Sequence, residues 1–310
     1  MTIQNILTTV QSVTELGLIG SLTVLALFLS YSMLNVCDLS TDGCFTLGAA
    51  VGAAVAFSGH PWLSIPAAMA AGVCSGFITA FLQTRMGINS LLAGIIVNTG
   101  LYSVNIAVMS GKSLINLNAA ETVFTKLKRV FDGTFLAGWH RVAVALAAVV
   151  IVVLLLTLFL KTRLGLAIRA TGDNPEMVRY SSVNPVFTVT VGLCAANAVT
   201  ALSGCLMAQS QKLADINMGQ GMVTVALASL LIGGTLFRRG AIGLRAVGAV
   251  VGAIVFRAVY ALALRLEMPA YMLKLVSAVI VIIAISAPYF RKKLPEFFKR
   301  TGRRKEGGDA

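Results

Sequence analysis

Lys161-Thr-Arg-Leu-Gly-Leu-Ala-Ile-Arg-Ala-Thr-Gly-Asp-Asn-Pro-Glu-Met-Val-Arg179 is a polar island between two long apolar runs. Lys161–Ala170 reads as a continuation of the preceding helix, with Arg163 and Arg169 on a solvated surface and Gly165 between them. Gly172 then reads as the break, the usual place of a glycine past a helix end. Asp173 or Asn174 caps a second helix, Pro175 falls in its first turn, and Glu176 complements its dipole. Asn184-Pro185 keeps that helix short. The island therefore predicts helix, break, helix between two membrane spans. Two uses fit this form, a surface for docking into a groove on a cytoplasmic partner or a well-formed turn.

The rest of the chain explains why such an island stands out. Of 310 residues, 57% are hydrophobic and 12% charged, and the mean hydropathy is +0.86. Soluble domains carry about a quarter charged residues, so the class is an all-α polytopic membrane protein. The net charge of +13 does not mark a nucleic-acid binder, because the charge is unevenly spread along the chain. No Lys or Arg precedes Arg85, and eight of the 25 follow Pro288. That asymmetry is the mark of membrane orientation.

A crossing helix needs about 20 apolar residues. Nine candidate spans follow: 14–34, 44–59, 62–83, 89–109, 142–160, 186–208, 219–237, 246–264 and 270–288. The second is short, and Asn35–Gly43 before it reads as re-entrant or interfacial, so the expected number is eight to ten. Residues 1–290 form one transmembrane domain, and 291–310 a basic tail. With the 161–185 loop and the tail on one side, that side holds 16 Lys and Arg and the other seven. The positive-inside rule makes the first side cytoplasmic, which predicts a multi-pass protein of the cell membrane with its C-terminus in the cytoplasm. The 110–140 loop, with Trp139 near its end, is then the main external segment. It is either a contact for an extracytoplasmic partner or a solvated connector.

Small residues recur four apart at Gly48/Gly52, Gly72/Gly76 and Gly248/Gly252, which implies close helix packing in lipid. A faint repeat relates Asp38-Leu-Ser-Thr-Asp-Gly-Cys-Phe-Thr-Leu-Gly-Ala49 to Asp215-Ile-Asn-Met-Gly-Gln-Gly-Met-Val-Thr-Val-Ala226. The spans that follow run in opposite senses, as in an inverted repeat.

Catalytic constellations are not found. His60 and His140 sit at external span ends, and neither a metal-ligand spacing nor a nucleophile elbow is present. No cofactor motif occurs, and no G-x-x-x-x-G-K-[ST] loop, so ATP-driven transport would need a separate nucleotide-binding subunit. The five cysteines read as small buried hydrophobes. Asp38, Asp42, Asp215 and Glu267 are expected near span ends, Glu15 at the start of the first span, and Arg257 well inside its span. Asn98, Thr99 and Asn105 in one span and Asn197 in another either line a hydrated solute path or bond between helices.

Four segments carry a resemblance. Thr162–Ala170 with Asn174 resembles the cytoplasmic loop of ABC-importer permeases of the branched-chain amino acid/ribose (LivH/RbsC-like) family. Asp38–Ala49 is similar to that family's segment after its first span, and Ile88–Val97 to its middle span. Ala226–Gly234 with Gly240-Ala-Ile-Gly243 resembles its Gly-Gly turn. Arg179–Asn184 departs from the family, which usually shows small residues and a Gly-Ile pair there. The resemblance implies an ABC-importer permease fold in a dimer, with two P-loop ATPase subunits at the 161–185 loop. It also implies an extracytoplasmic solute-binding protein and an amino-acid-like solute, with sugars or nucleosides as alternatives. An ion-coupled secondary transporter or a non-transporting membrane scaffold are the other readings of the residues.

Overall fold

The computed structural model describes residues 3–131, 139–237 and 240–265, together with 275, 278–283 and 286. The expected ninth span, 270–288, falls mostly outside the described residues, and the 291–310 tail wholly so. Eight apolar helices account for the other eight spans. They are α1 (Ile3–Leu27, continued by a π-helical turn Phe28–Met33), α2 (Thr41–Phe57), α3 (Pro61–Thr84) and α4 (Ser90–Val108), then α6 (His140–Lys161), α9 (Pro185–Gln211), α10 (Met222–Leu236) and α11 (Ile242–Arg265). Six are long and apolar enough to cross a membrane, while α2 and α10 are shorter. Between them lie β1 (Leu114–Asn116), α5 (Val123–Phe131), α7 (Arg163–Asp173), α8 (Pro175–Tyr180) and β2 (Leu213–Asp215). β1 pairs antiparallel with β2, Ile115 opposite Ala214.

Starts are written in the sequence. Asn89, Thr162, Asn174 and Asn184 each accept a backbone N–H of the helix that follows, and α3, α8 and α9 begin with proline. One end of the bundle carries the β1–β2 ladder and the starts of α3 and α6, where Trp62 and Trp139 are exposed. We refer to it as the hairpin end. The other carries α7 and α8.

α9 is the central strut. Its 27 residues span about 40 Å at 1.5 Å per residue. A Cβ on Gly48 would overlap the Ala201 carbonyl, and one on Gly52 would lie 2.5 Å from the Cys205 sulfur, so α2 runs parallel to α9. A Cβ on Gly76 would meet the Leu193 oxygen at 2.6 Å, and one on Gly72 the Ala201 Cβ at 2.7 Å, so α3 runs antiparallel. The glycine pairs predicted from spacing are these contacts. α1 also runs antiparallel to α9, with Ser203 Oγ donating to the Ile19 carbonyl at 2.8 Å.

The inverted repeat is present in the packing. With Asp38 and Asp215 as equivalent positions, Asp42 corresponds to Gly219 and Thr46 to Val223. The Val223 N–H donates to Asp42 Oδ1 at 2.8 Å, and the Gly219 N–H donates to Thr46 Oγ1 at 3.2 Å. The two contacts are exchanged when the halves are swapped, as at a twofold interface. Each aspartate also opens its segment with the same turn, Asp38 Oδ1 accepting from Ser40 N–H at 2.8 Å and Asp215 Oδ1 from Asn217 N–H at 2.6 Å. Farther out, α9 packs on α2 and α3 while α1 packs on α10 and α11. Inversion leaves α2 and α10 starting side by side near the middle of the bundle and running to opposite ends.

Two expectations change. Asp38 and Asp42 stand at the start of α2, but that start lies inside the bundle, because the chain after α1 turns back there. Asn35 takes a left-handed φ of 55°, and Asp38 reaches Asn197, near the centre of α9. Gly172 is not the break, since α7 runs through it to Asp173. The breaks are Thr162, extended at ψ 166°, and Asn174, extended at ψ 100°. Gly172 is needed for another reason: a Cβ there would overlap the Met33 carbonyl oxygen.

Candidate functional site: a mid-bundle polar junction and a capped surface helix

At the junction of the two halves, α2 and α10 present their N-termini, where unsatisfied N–H groups leave partial positive charge. Asp42 answers this in trans. Its Oδ2 accepts the Gly221 N–H at 2.9 Å while its Oδ1 holds Val223. Asp38 is 1% exposed and is held by Ser40 on one oxygen and by Asn197 Nδ2 at 2.9 Å on the other. Ser40 Oγ receives a further bond from Thr79 at 3.2 Å. A buried carboxylate without such donors would be strongly destabilising.

The predicted pathway residues divide here. Asn197 and Asn105 are each 1% exposed, and both make interhelical bonds, Asn105 Nδ2 donating to the Gly43 carbonyl at 3.2 Å. Asn98 is half-buried, with its Oδ1 2.6 Å from where a Gly43 Cβ would lie. Thr99 is exposed and bonds the Ile95 carbonyl of its own helix at 2.9 Å. Asn98, Asn105 and Asn197 thus converge on the start of α2, whereas Thr99 points away from it.

Polar groups also break the surface at this level. Asn217 and Gln220 are exposed, joined by a 2.7 Å bond between their side chains, and Gly221 and Thr224 are exposed beside them. Nothing in the sequence marked this edge, because its depth follows only from the contact between Gly219 and α2.

The second element is α7–α8. Asn174 Oδ1 accepts from Glu176 N–H and Met177 N–H, both at 3.1 Å, so Asn174 rather than Asp173 is the cap. α7 is not free in solvent: Ile168 is fully buried, Gly165 packs on Leu160, and the Thr171 and Thr188 hydroxyls bond at 2.8 Å. Arg163, Asp173, Asn174, Pro175 and Glu176 are exposed, and Arg169 is half-buried. Reading by charge missed the apolar part of this surface, Met177 at 66% and Tyr180 at 91% exposure. Both stand beside the exposed charges of Asp173, Glu176 and Arg179.

The hairpin end is also more ordered than a connector. Leu117 and Thr122 are fully buried, and the Val123 N–H donates to Gln209 Oε1 at 2.9 Å. Residues 132–138 of the 110–140 loop lie outside the described residues. Among the described residues no group of His, Cys, Asp and Glu is placed to hold a metal.

Comparison with known proteins gives one family. Residues 9–285 match the model of the branched-chain amino acid transport system permease component. A tyrosine transport system permease protein of Clostridioides difficile is 34% identical over 272 residues, 87% of this chain and 88% of that protein. The fructose import permease protein FruF of Bifidobacterium longum is 27% identical over 256 residues, 81% of this chain and 70% of that one. The ribose import permease protein RbsC of Escherichia coli is 25% identical over 258 residues, 80% of this chain and 75% of that one. No solved structure matches the chain.

Proposed function

Because the chain belongs to the branched-chain amino acid transport system permease family of ABC importers, a family of multi-pass transport subunits rather than enzymes, we propose that it carries an amino-acid-like solute inward. The carrying observation is the match to the tyrosine permease, higher in identity and wider in coverage than those to the sugar permeases named above. A sugar is the second reading, supported by those same sugar relatives.

In this reading α7–α8 is the contact for separate P-loop ATPase subunits, and the α7 end faces the cytoplasm with the tail. Met177 and Tyr180 fill an apolar groove on the partner, and Arg163, Asp173 and Glu176 form its charged rim. Asn174 and Pro175 fix where the short helix begins. A second copy of the chain covers the edge at Asn217, Gln220 and Thr224. Uncovered amide and hydroxyl groups in the middle of a bilayer would face hydrocarbon, which is costly unless protein or a hydrated path lies there. The pathway then runs along this edge, with Asn98, Asn105 and Asn197 holding the junction behind it. The hairpin end, with Trp62 and Trp139 as interfacial anchors, faces the extracytoplasmic solute-binding protein.

The test is co-expression with the ATPase encoded beside this chain and purification through a tag on the permease. The ATPase is expected to co-purify and to be lost when Arg163, Arg169 and Glu176 are reversed in charge. Proteoliposomes of the assembly are expected to take up L-tyrosine with ATP, and ribose not at all. Full uptake without any ATPase, abolished by a protonophore, would identify a secondary carrier and sink the proposal.

A further inference from the structure

At the hairpin end a cleft of about 250 Å³ opens between α1, α6 and α9. Its polar lining comes from Ser12 and Glu15 of α1, Asn118 after β1, Arg141 of α6, Ser210 and Gln211 of α9, and Lys212 just beyond it. Drug-sized ligands occupy roughly 300–1,000 Å³. This cleft suits something smaller.

Its charges are arranged unusually. Glu15 is only 6% exposed, and its Oε1 accepts the Ser210 hydroxyl. Arg141 and Lys212 line the same space, yet neither closes onto Glu15. The ion pairs among the described residues both belong to Glu121. Lys212 is moreover held at φ 55°, in the left-handed region, at the end of α9. A glycine or asparagine would hold this position at less cost, so strain is being kept with a lysine. One carboxylate and two cations thus line the same space with no ion pair closed between them.

We propose that this cleft binds a free α-amino acid as its zwitterion, the carboxylate toward Arg141 and Lys212 and the ammonium toward Glu15. The inference rests on the amino-acid reading above and adds to it a solute site on the permease itself. A sugar would leave all three charges uncompensated, whereas a zwitterion satisfies both signs at once. The site bridges α1 and α9, the leading helices of the two repeats. Occupancy therefore favours the arrangement in which these ends are joined, by as much as the ligand's affinity differs between arrangements.

The experiment uses the full-length permease in lipid nanodiscs without binding protein, with radiolabelled L-tyrosine as probe. Saturable binding is expected. L-Tyrosinamide, which lacks the carboxylate, and N-acetyl-L-tyrosine, which lacks the ammonium, are expected to compete at least about tenfold more weakly. Arg141→Gln and Glu15→Gln should each weaken binding by about tenfold or more, with Arg141→Lys restoring part of it. Unchanged unfolding midpoints in these variants would set lost binding apart from lost fold. Absence of saturable binding, equal competition by either analogue, or wild-type binding by Arg141→Gln would overturn the inference. ATP-driven tyrosine uptake by the complete assembly, measured in parallel, separates the two readings. Uptake without nanodisc binding removes the cleft site alone, and uptake of no amino acid removes both.

Discussion

Asn197→Ala tests whether the polar centre of the bundle is a structural clasp or a wet path. The substitution removes the Nδ2 donor that holds Asp38 Oδ2 at 2.9 Å and leaves Ser40, through its N–H and its side chain, to hold the carboxylate. Neutral hydrogen bonds between membrane helices average about 0.6 kcal/mol. A bond to a buried charged group is worth more, about 1.5–3 kcal/mol. Asp38 is 1% exposed, so water cannot take the missing place without opening the bundle. The expected loss is therefore about 2–3 kcal/mol, above the neutral average by a margin that a titration resolves. Reversible unfolding in mixed micelles, followed by tryptophan fluorescence, gives the measurement for wild type, Asp38→Ala, Asn197→Ala and the double variant. The coupling energy of that cycle should exceed about 1 kcal/mol, the range for residues in one network. Thr99→Ala, which removes only a bond within its own helix, should change stability by less than about 0.5 kcal/mol. A coupling near zero, with unchanged unfolding and a raised KM for uptake in Asn197→Ala, would refute the clasp and put Asn197 on the solute path.

Three further outcomes follow from the same geometry. Asp42→Ala removes both acceptors at the start of α10 and should cost about 2 kcal/mol or more, while Asp42→Asn keeps one acceptor and should lose roughly half as much, by the same unfolding titration. Gly76→Ala would place a methyl 2.6–2.8 Å from backbone atoms of Leu193 and Cys194, and should destabilise by about 1–3 kcal/mol. Gly100→Ala meets nothing within 4 Å and should be neutral or stabilising, so equal midpoints for the two would refute the packing. Asn174→Ala should cost about 1 kcal/mol locally, seen as faster amide exchange across 175–180 and weaker capture of the ATPase, with global unfolding unchanged.

What was legible in the sequence was whatever lipid enforces locally. A helix in hydrocarbon must satisfy its own backbone, so apolar length finds the spans and Asn-Pro finds the starts of α8 and α9. The second half of the island was readable for the same reason, whereas the break at Thr162 and the role of Gly172 were not. A glycine near a helix end reads as a stop, but here it lies where α7 crosses the Met33 carbonyl, a contact between residues far apart in sequence. The depth of Asp38 and Asp42 was hidden likewise. Their flanks are polar enough to read as a span end, and only the return of the chain beside α9 carries them to the centre. The repeat lay at the edge of legibility. Asp38 and Asp215 are visible as similar letters, but the reciprocal bonds through Asp42 and Gly219 belong to the folded chain.

Those reciprocal bonds bear on how force at the surface helix would reach the centre. α8 follows α7 directly through the Asn174 cap, and α7 is fixed to the turn after α1, with Gly172 against Met33. The next residue, Leu34, packs on Gly192 of α9, and four residues on Asp38 is tied to Asn197. Few of these contacts have slack, because glycine meets backbone or side chain at closest approach and packed interiors transmit strain rather than absorb it. Contiguity alone is not coupling, which needs an element with two arrangements. The junction supplies a candidate: Asp42 holds α10, and Thr46 holds the turn that leads into it, across a local twofold relation. Rotation of one half against the other strains both bonds together, so the intermediate with one kept and one broken gains little. A junction of that kind favours two end states over a continuum, as the transport proposed above would require of the bundle's centre.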